Sequence, residues 1–251
     1  MNEPVNKKVI VFDLDGTLAE SKQALDGEMA DLLAQLVDHG YYIAVMSGGA
    51  FNQYQQQFLS LLHFSEDQYQ KLLLLPTSGA ALYVYQNSTW QQVYQEVLST
   101  EDRERIITTL QAIIKKLALL PPQSYGELIE DRSTQITYSG LGQQAPNTAK
   151  EVWDPHKKKR AHIAALFSEQ LPMFDVHIGG MTSIDITRKG IDKAYGVKKV
   201  SDFLNTPISA MVYIGDALFP GGNDATVQVL GIECIAVKNI AETKKYIKTL
   251  L

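Results

Sequence analysis

Residues 9–17 read Val-Ile-Val-Phe-Asp-Leu-Asp-Gly-Thr, an apolar run that breaks at once into two aspartates one residue apart. β-Branched and aromatic residues without alternation predict a strand covered on both faces. Asp13 and Asp15 then leave its carboxyl end beside a Gly-Thr turn. That edge is where open α/β sheets hold their ligands.

Working outward, the first third alternates strand and helix patterns. Met29, Leu32, Leu33, Leu36 and Val37 recur at helical spacing between Asp26 and Asp38, and Gly40 supplies a C-terminal stop. YIAVM (42–46) predicts a second buried strand ending at Ser47-Gly48-Gly49, a helix follows from about Phe51, and LLLL (72–75) predicts a third strand. The last quarter resumes this grammar with MVYI (211–214) running into Gly215-Asp216, a helix from about Asn223, CIAV (234–237) and a polar closing helix. Strand, helix and strand in succession imply parallel pairing with right-handed crossovers.

Between these parts the pattern changes. Helical stretches near 100–119 and 156–170 are surrounded by the short strand-like pieces ELIE, QITYS, DVHI and SIDI. Without one-for-one alternation they predict an α+β insertion on an antiparallel sheet. The expected architecture is a Rossmann-like α/β parallel-sheet core over 1–86 and 188–251, interrupted by an α+β cap over 87–187. The Tyr-rich stretch Leu82–Tyr94 near the first hinge reads as hinge packing, with a dimer face as the other reading.

A net charge of −5 argues against a nucleic-acid-binding surface. The one basic run, Lys157 to Arg160, reads as a solvated face. A single cysteine, Cys234, forbids an internal disulfide and fits a reducing compartment. No apolar stretch of membrane-spanning length is present, so the expectation is a soluble cytoplasmic protein, monomer or homodimer, with no membrane partner.

Four separated segments end a predicted strand or begin a helix with groups suited to phosphate or metal: Asp13/Asp15, Ser47, Lys193, and Asp216 with Asn223/Asp224. Parallel strands bring their carboxyl ends to one edge, so these groups can converge. Two like charges 4 Å apart repel by about 4 kcal/mol at an effective dielectric near 20. Aspartates gathered around a phosphate dianion therefore demand a cation. A hard divalent ion with oxygen ligands, most simply Mg²⁺, meets that demand, and Lys193 adds a second positive charge.

DLDGT, a serine closing the second strand, a GxxK segment and GD…ND resemble, in order, the four motifs of the haloacid dehalogenase-like phosphotransferase superfamily. The insertion after the third strand resembles subfamily IIB, whose α+β cap follows the second motif. GGMTSIDITRKGIDKAYGV (179–197) and GDALFPGGND (215–224) are similar to the eukaryotic-type phosphomannomutase branch. The resemblance implies Asp13 as nucleophile, Asp15 as general acid and base, Thr17 bracing the turn, and Ser47 and Lys193 on the phosphoryl group, with Gly48 against the substrate. It implies Mg²⁺ held by Asp13, the Asp15 backbone carbonyl and Asp216, with Asn223 and Asp224 in support behind them. In the cap it implies substrate contacts from Arg132, Met181, Ser183 and Asp185.

The chain departs from that branch where its SPIGR segment reads YSGLGQQ, placing Gln143 at an arginine position. A further cap arginine has no counterpart, and Lys22 stands where arginine is usual. A mutase must grip either phosphate of a bisphosphate, and glutamine offers no charge for this. The expected activity is accordingly a Mg²⁺-dependent phosphatase acting on a phosphorylated sugar or similar small metabolite. A phosphohexose mutase is the alternative, and a catalytically weak phosphosugar-binding protein the second alternative.

Overall fold

The computed structural model describes residues 8–21 and 23–251. Lys22, singled out above, lies outside the described residues. The chain forms two compact units. One comprises the described residues up to Gln95 with Asp192–Pro220 and Asp224–Leu251, and the other Glu96–Ile191 with Gly221–Asn223.

The first unit is built on strands β1 (Val9–Asp13), β2 (Tyr42–Met46), β3 (Leu72–Leu75), β4 (Ala81–Gln86) and β5 (Thr89–Gln95). The second unit contributes β6 (Ile129–Asp131), β7 (Gln135–Ser139), β8 (Phe174–Ile178) and β9 (Ser183–Arg188), after which the first resumes with β10 (Met211–Gly215) and β11 (Glu233–Ala236). The first sheet has the order β11-β10-β1-β2-β3-β4-β5. Pairing is parallel from β11 to β3, and antiparallel for β3–β4 and β4–β5.

All five residues of β1 are buried, and successive side chains enter opposite layers. Ile10, Phe12, Ile43, Val45, Leu72 and Leu74 join the layer holding Met29, Leu33 and Leu36 of the helix Gly27–Asp38. Val9, Val11, Ala44, Met46, Leu73 and Leu75 join the layer holding Val197 and Val200. Both faces are covered, which is why these strands lack the alternation of a half-solvated sheet. The Asp26 side chain caps the helix Gly27–Asp38 by accepting from Met29 N at 2.9 Å, and Gly40 past its end takes φ +93°.

The first unit runs past the expected boundary at residue 86 because β5 pairs along the edge of the core sheet. The β4–β5 hairpin takes the place of the expected hinge near 86–88, because Asn87 and Ser88 take left-handed φ of 51° and 59° and turn the chain back along β4. Phe51 stacks on Tyr83 at 4.0 Å, and Tyr69 lies 5.0 Å from Tyr85. The Tyr-rich stretch thus packs on its own unit. The return to the first unit comes at Asp192, four residues after the expected 188, because Thr187 and Arg188 still complete β9 and Thr187 Oγ1 donates to Ile191 O at 2.8 Å. The helix expected near Asn223 is a 3₁₀ segment, Ala225–Leu230. Asp224, at its start, gives its carboxylate to other donors instead of capping.

The second unit carries a fully antiparallel sheet of order β6-β7-β9-β8. Ile136, Tyr138, Ile184 and Ile186 pack with Ile106 and Leu110 of the helix Thr100–Lys116 and Phe167 of the helix Lys158–Gln170. Within the basic run Lys157–Arg160, the three lysines are exposed but Arg160 is buried. Its guanidinium and backbone N–H donate to Asp154 at 3.0 Å, and Nη1 donates to Gly180 O. Arg160 therefore anchors the loop before β9 rather than facing water. No helix among the described residues is long and apolar enough to cross a membrane.

Candidate active site

In the first unit, β1 lies between β10 and β2, with Phe12 level with Ile214 and Asp13 level with Met46. The shared direction places Asp13, Ser47 and Asp216 at one sheet edge, each at or just past a strand end. Asp13 is buried, as expected of a residue continuous with a doubly covered strand.

Lys193 opens the helix Lys193–Leu204, capped by Asp192, which accepts from Tyr195 N at 2.9 Å. Its ammonium is fully buried, donating to Asp13 Oδ1 and to Asp224 Oδ1, the latter at 2.6 Å. Tyr213 OH donates to the same Asp224 oxygen at 2.6 Å, and Ala217 N to Asp224 Oδ2 at 2.9 Å. The helix can come this close because glycine meets glycine. A Cβ on Gly79 (φ +89°) would stand 2.8 Å from Gly196 Cα.

Carboxylate oxygens of Asp13, Asp216 and Asp224 lie within 4.8 Å of one another. Burial raises the Asp13 pKa, Lys193 opposes the rise, and Asp224 and Asp216 add to it. Burial works against the Lys193 ammonium, but Asp13 and Asp224 outweigh it and raise its pKa, so the amine stays charged. Three carboxylates thus gather around the Lys193 ammonium. An all-oxygen donor set of this kind fits a hard divalent cation. Gly16 belongs to this packing, since a Cβ there would come 2.7 Å from Asp216 Oδ2.

Asp15 turns a different way. Ser47 Oγ donates to Asp15 Oδ2 at 3.1 Å, and Gln57 Nε2 to Asp15 Oδ1 at 3.1 Å. Ser47 Oγ in turn accepts from Gly49 N at 3.0 Å, and Gln53 Nε2 donates to Gln57 at 2.9 Å. The loop carrying Ser47 and Gly48 is fixed from β3: Thr77 N donates to Gly49 O at 2.9 Å and Ser78 N to Ser47 O at 2.8 Å. Thr77 and Ser78 hold left-handed φ of 50° and 58° to make these bonds, a conformation non-glycine residues seldom adopt. Tyr54 OH bonds to the carbonyls of Val45 and Leu75 at 3.1 and 3.0 Å, joining the same two strand ends. Thr17 is fully buried, and its Oγ1 has no hydrogen-bond partner among the described residues.

The remaining expected residues lie in the second unit. Asn223 is grouped there with Gly221 and Gly222. Arg132, Ser183 and Asp185 belong to its sheet region and Met181 to the loop before β9. Arg132 Nη2 donates to Glu130 Oε2 at 2.6 Å and to Gln143 Oε1 at 3.5 Å. Asp185 is buried and accepts from Thr137 Oγ1 at 2.9 Å. Burial raises its pKa, against the lowering influence of Arg132.

Sequence reasoning missed Gln57 and Tyr213. Gln57 carried one available signal, a polar residue on the packed face of a short helix. Tyr213 had none, because a tyrosine in a buried strand reads as core.

A family model described as haloacid dehalogenase-like hydrolase matches residues 10–239. "Phosphomannomutase 2" of Dictyostelium discoideum is 26% identical over 225 residues, covering 87% of this chain and 86% of that protein. "Probable phosphomannomutase" of Caenorhabditis elegans is 24% identical over 264 residues, covering 100% and 98%. Among solved structures, IMP-bound Plasmodium falciparum IMP-nucleotidase superposes with a TM-score of 0.75 at 17% identity, covering 98% of this chain and 68% of that one. That likeness is one of fold. The chain belongs to the haloacid dehalogenase-like hydrolases.

Proposed function

We propose that this protein is a Mg²⁺-dependent phosphatase that hydrolyses a phosphorylated sugar or similar small metabolite through Asp13, in a cytoplasmic setting. The observation that carries the reading is the buried Lys193 ammonium bridging Asp13 and Asp224 while Asp216 stands alongside. Asp13 attacks phosphorus and takes the phosphoryl group as an acyl phosphate, and water later releases it. Asp15, oriented by Ser47 and Gln57, gives a proton to the leaving oxygen and then takes one from the attacking water. Lys193 offsets charge on the transferring group, a contribution typically of about 3–4 kcal/mol. Asp13, Asp216 and the Asp15 carbonyl would hold Mg²⁺, with Asn223 and Asp224 in support behind them, and the ion would supply neutralisation of phosphoryl charge. Residues of the second unit, Arg132, Met181, Ser183 and Asp185, recognise the rest of the substrate.

A mutase is the second reading, favoured by the similarity to proteins named phosphomannomutase. Against it stands Gln143, an uncharged side chain where that branch has an arginine. The deciding experiment measures phosphate released from hexose phosphates and nucleoside monophosphates with Mg²⁺, beside interconversion of mannose 1- and 6-phosphate with a bisphosphate activator. Phosphate release without interconversion is the expected result. Activator-dependent interconversion with little release would overturn it in favour of the mutase.

A further inference from the structure

The helix that follows Ser47-Gly48-Gly49, Phe51–Gln57, is rich in glutamine, and Gln53 and Gln57 sit one turn apart on it. Residues four apart share a helix face. Gln57 is buried and Gln53 half-buried, whereas Asn52, Gln55 and Gln56 are exposed. Gln53, Gln57, Asp15 and Ser47 all belong to the first unit. A buried glutamine needs partners at both ends of its amide, since an unmet end costs about 1–3 kcal/mol.

Those partners fix which end points where. Gln57 Nε2 donates to Asp15 Oδ1 at 3.1 Å and to the Glu20 carbonyl at 3.3 Å. A carbonyl oxygen only accepts, so the NH₂ end must face this side. Gln57 Oε1 is thereby turned to Gln53, whose Nε2 donates to it at 2.9 Å. Gln53 in turn lies against Gly49, where a Cβ would overlap its Oε1 and Cδ. The Gln57 backbone is tied down as well, its carbonyl accepting from Leu25 N at 2.9 Å.

Asp15 thus receives a donor on each oxygen, Ser47 Oγ on Oδ2 and Gln57 Nε2 on Oδ1, from two different segments. Donors on both oxygens fix the plane of the carboxyl group as well as its position. A carboxyl group has about four acceptor sites, so accepting two hydrogen bonds does not bar it from carrying a proton. We propose that Gln53 and Gln57 are positioning residues for proton delivery: Gln53 sets the polarity of the Gln57 amide, and Gln57 holds the Asp15 carboxyl aimed at the leaving oxygen. The proposal rests on the phosphatase reading and adds to it the groups that act behind Asp15. As Asp13 attacks, the bond from phosphorus to the leaving oxygen breaks and its electron pair stays on that oxygen. Asp15 gives its proton to this oxygen and is left ionised. A sugar alkoxide needs that proton to depart, whereas 4-nitrophenolate departs as an anion and needs little help. Misaiming Asp15 therefore penalises the sugar ester selectively.

The test compares kcat/KM for p-nitrophenyl phosphate with that for a hexose monophosphate, with Mg²⁺ present. This parameter covers the steps up to departure of the leaving group, so slow release of phosphate from Asp13 does not enter. Gln57→Leu keeps bulk and loses the donor, and should raise the aryl-to-sugar ratio by about tenfold to one-hundredfold through loss on the sugar ester. Gln53→Glu presents only acceptors to Gln57 Oε1 and should turn that amide around. The ratio should then rise in the same direction, although no donor to Asp15 has been removed. Gln53→Lys keeps a donor for Gln57 Oε1 and should hold the ratio close to that of wild type. A structural role alone predicts loss on both esters alike and no difference between the two Gln53 variants. A ratio unmoved by Gln57→Leu, or one that does not separate Gln53→Glu from Gln53→Lys, overturns the proposal and leaves the phosphatase standing. Should Gln57→Leu not fold by circular dichroism, the variants at the half-buried Gln53 decide alone. Absence of hydrolysis of every ester by the wild-type chain overturns the phosphatase reading, and proton delivery with it.

Discussion

Both units carry acidic side chains on a sheet, but they arrange them in opposite ways. In the first, Asp13, Asp216 and Asp224 lie at or beyond strand ends, come from segments about 200 residues apart, and have one ammonium among them. In the second, Glu130 and Asp185 sit within strands and are met by Arg132, just past the end of β6, and by Thr137 of β7. The first arrangement offers an all-oxygen cluster of the kind that suits a hard divalent cation. The second pairs Glu130 with a guanidinium and gives Asp185 a hydroxyl donor.

The largest break in this contrast is expected from Asp13→Asn. Removing a covalent nucleophile should lower kcat by about 10⁴-fold or more, by analogy with nucleophile knockouts elsewhere. The fold should survive, because the substitution removes a carboxylate whose pKa burial already raises. Phosphate release and circular dichroism on one sample check both halves.

Lys193→Met should strike activity and stability together. Losing one well-placed cationic donor is worth about 10²–10³ in kcat. It also leaves Asp13 and Asp224 buried without their ammonium, a loss of about 3–5 kcal/mol. Thermal unfolding should show this deficit shrinking as Mg²⁺ is added, because a second cation can compensate the same carboxylates. A deficit indifferent to Mg²⁺ would show that the cluster does not take the ion.

Gly79→Ala probes how the helix bearing Lys193 is held. The added Cβ would meet backbone at Gly196 and require a positive φ, so a loss of about 1–3 kcal/mol is expected, with kcat falling as Lys193 shifts. Stability lost with kcat intact would separate the helix position from catalysis.

In the second unit the expected effect is smaller and pH-dependent. Asp185 has its pKa raised by burial, so in the folded chain it holds a proton at pH values where the unfolded chain, near pKa 4, has released it. Stability from this group is therefore lost as pH rises from the unfolded value through the folded one. Asp185→Asn lacks that loss, so its melting temperature should gain on wild type as pH is raised from about 3.5 to 7. A difference independent of pH would show Asp185 to be no more strained than an exposed carboxylate.

Glu28→Gln should do least. Its pKa is lowered to about 2 by hydrogen bonds from Lys244 and then Lys248, with their charge adding to this, but the group is exposed and its pairs are screened by salt. A melting temperature within that of ordinary surface substitutions is expected, with any difference vanishing at high ionic strength.

The two sites were unequally legible in the residues. VIVFD, YIAVM, LLLL and MVYI name their strands because burial on both faces leaves no other composition. Parallel pairing then brings Asp13, Ser47 and Asp216 to one edge with no coordinates at all. The β4–β5 hairpin escaped because Asn87-Ser88 reads as a hinge, whereas both residues take left-handed φ and turn the strand back on itself. Gln57 and Tyr213 escaped because glutamine and tyrosine take their meaning from the partner they meet, here Asp15 and Asp224.

From the chain of residues alone came the α/β core, the α+β insertion and the likeness to one enzyme superfamily. These follow from period, turn chemistry and short motifs, all written locally. Which carboxylate Lys193 would serve, where the Arg132 fork would turn, and that Arg160 would be buried were decided only on folding. Each depends on distances between groups far apart in the chain, and only packing determines those distances.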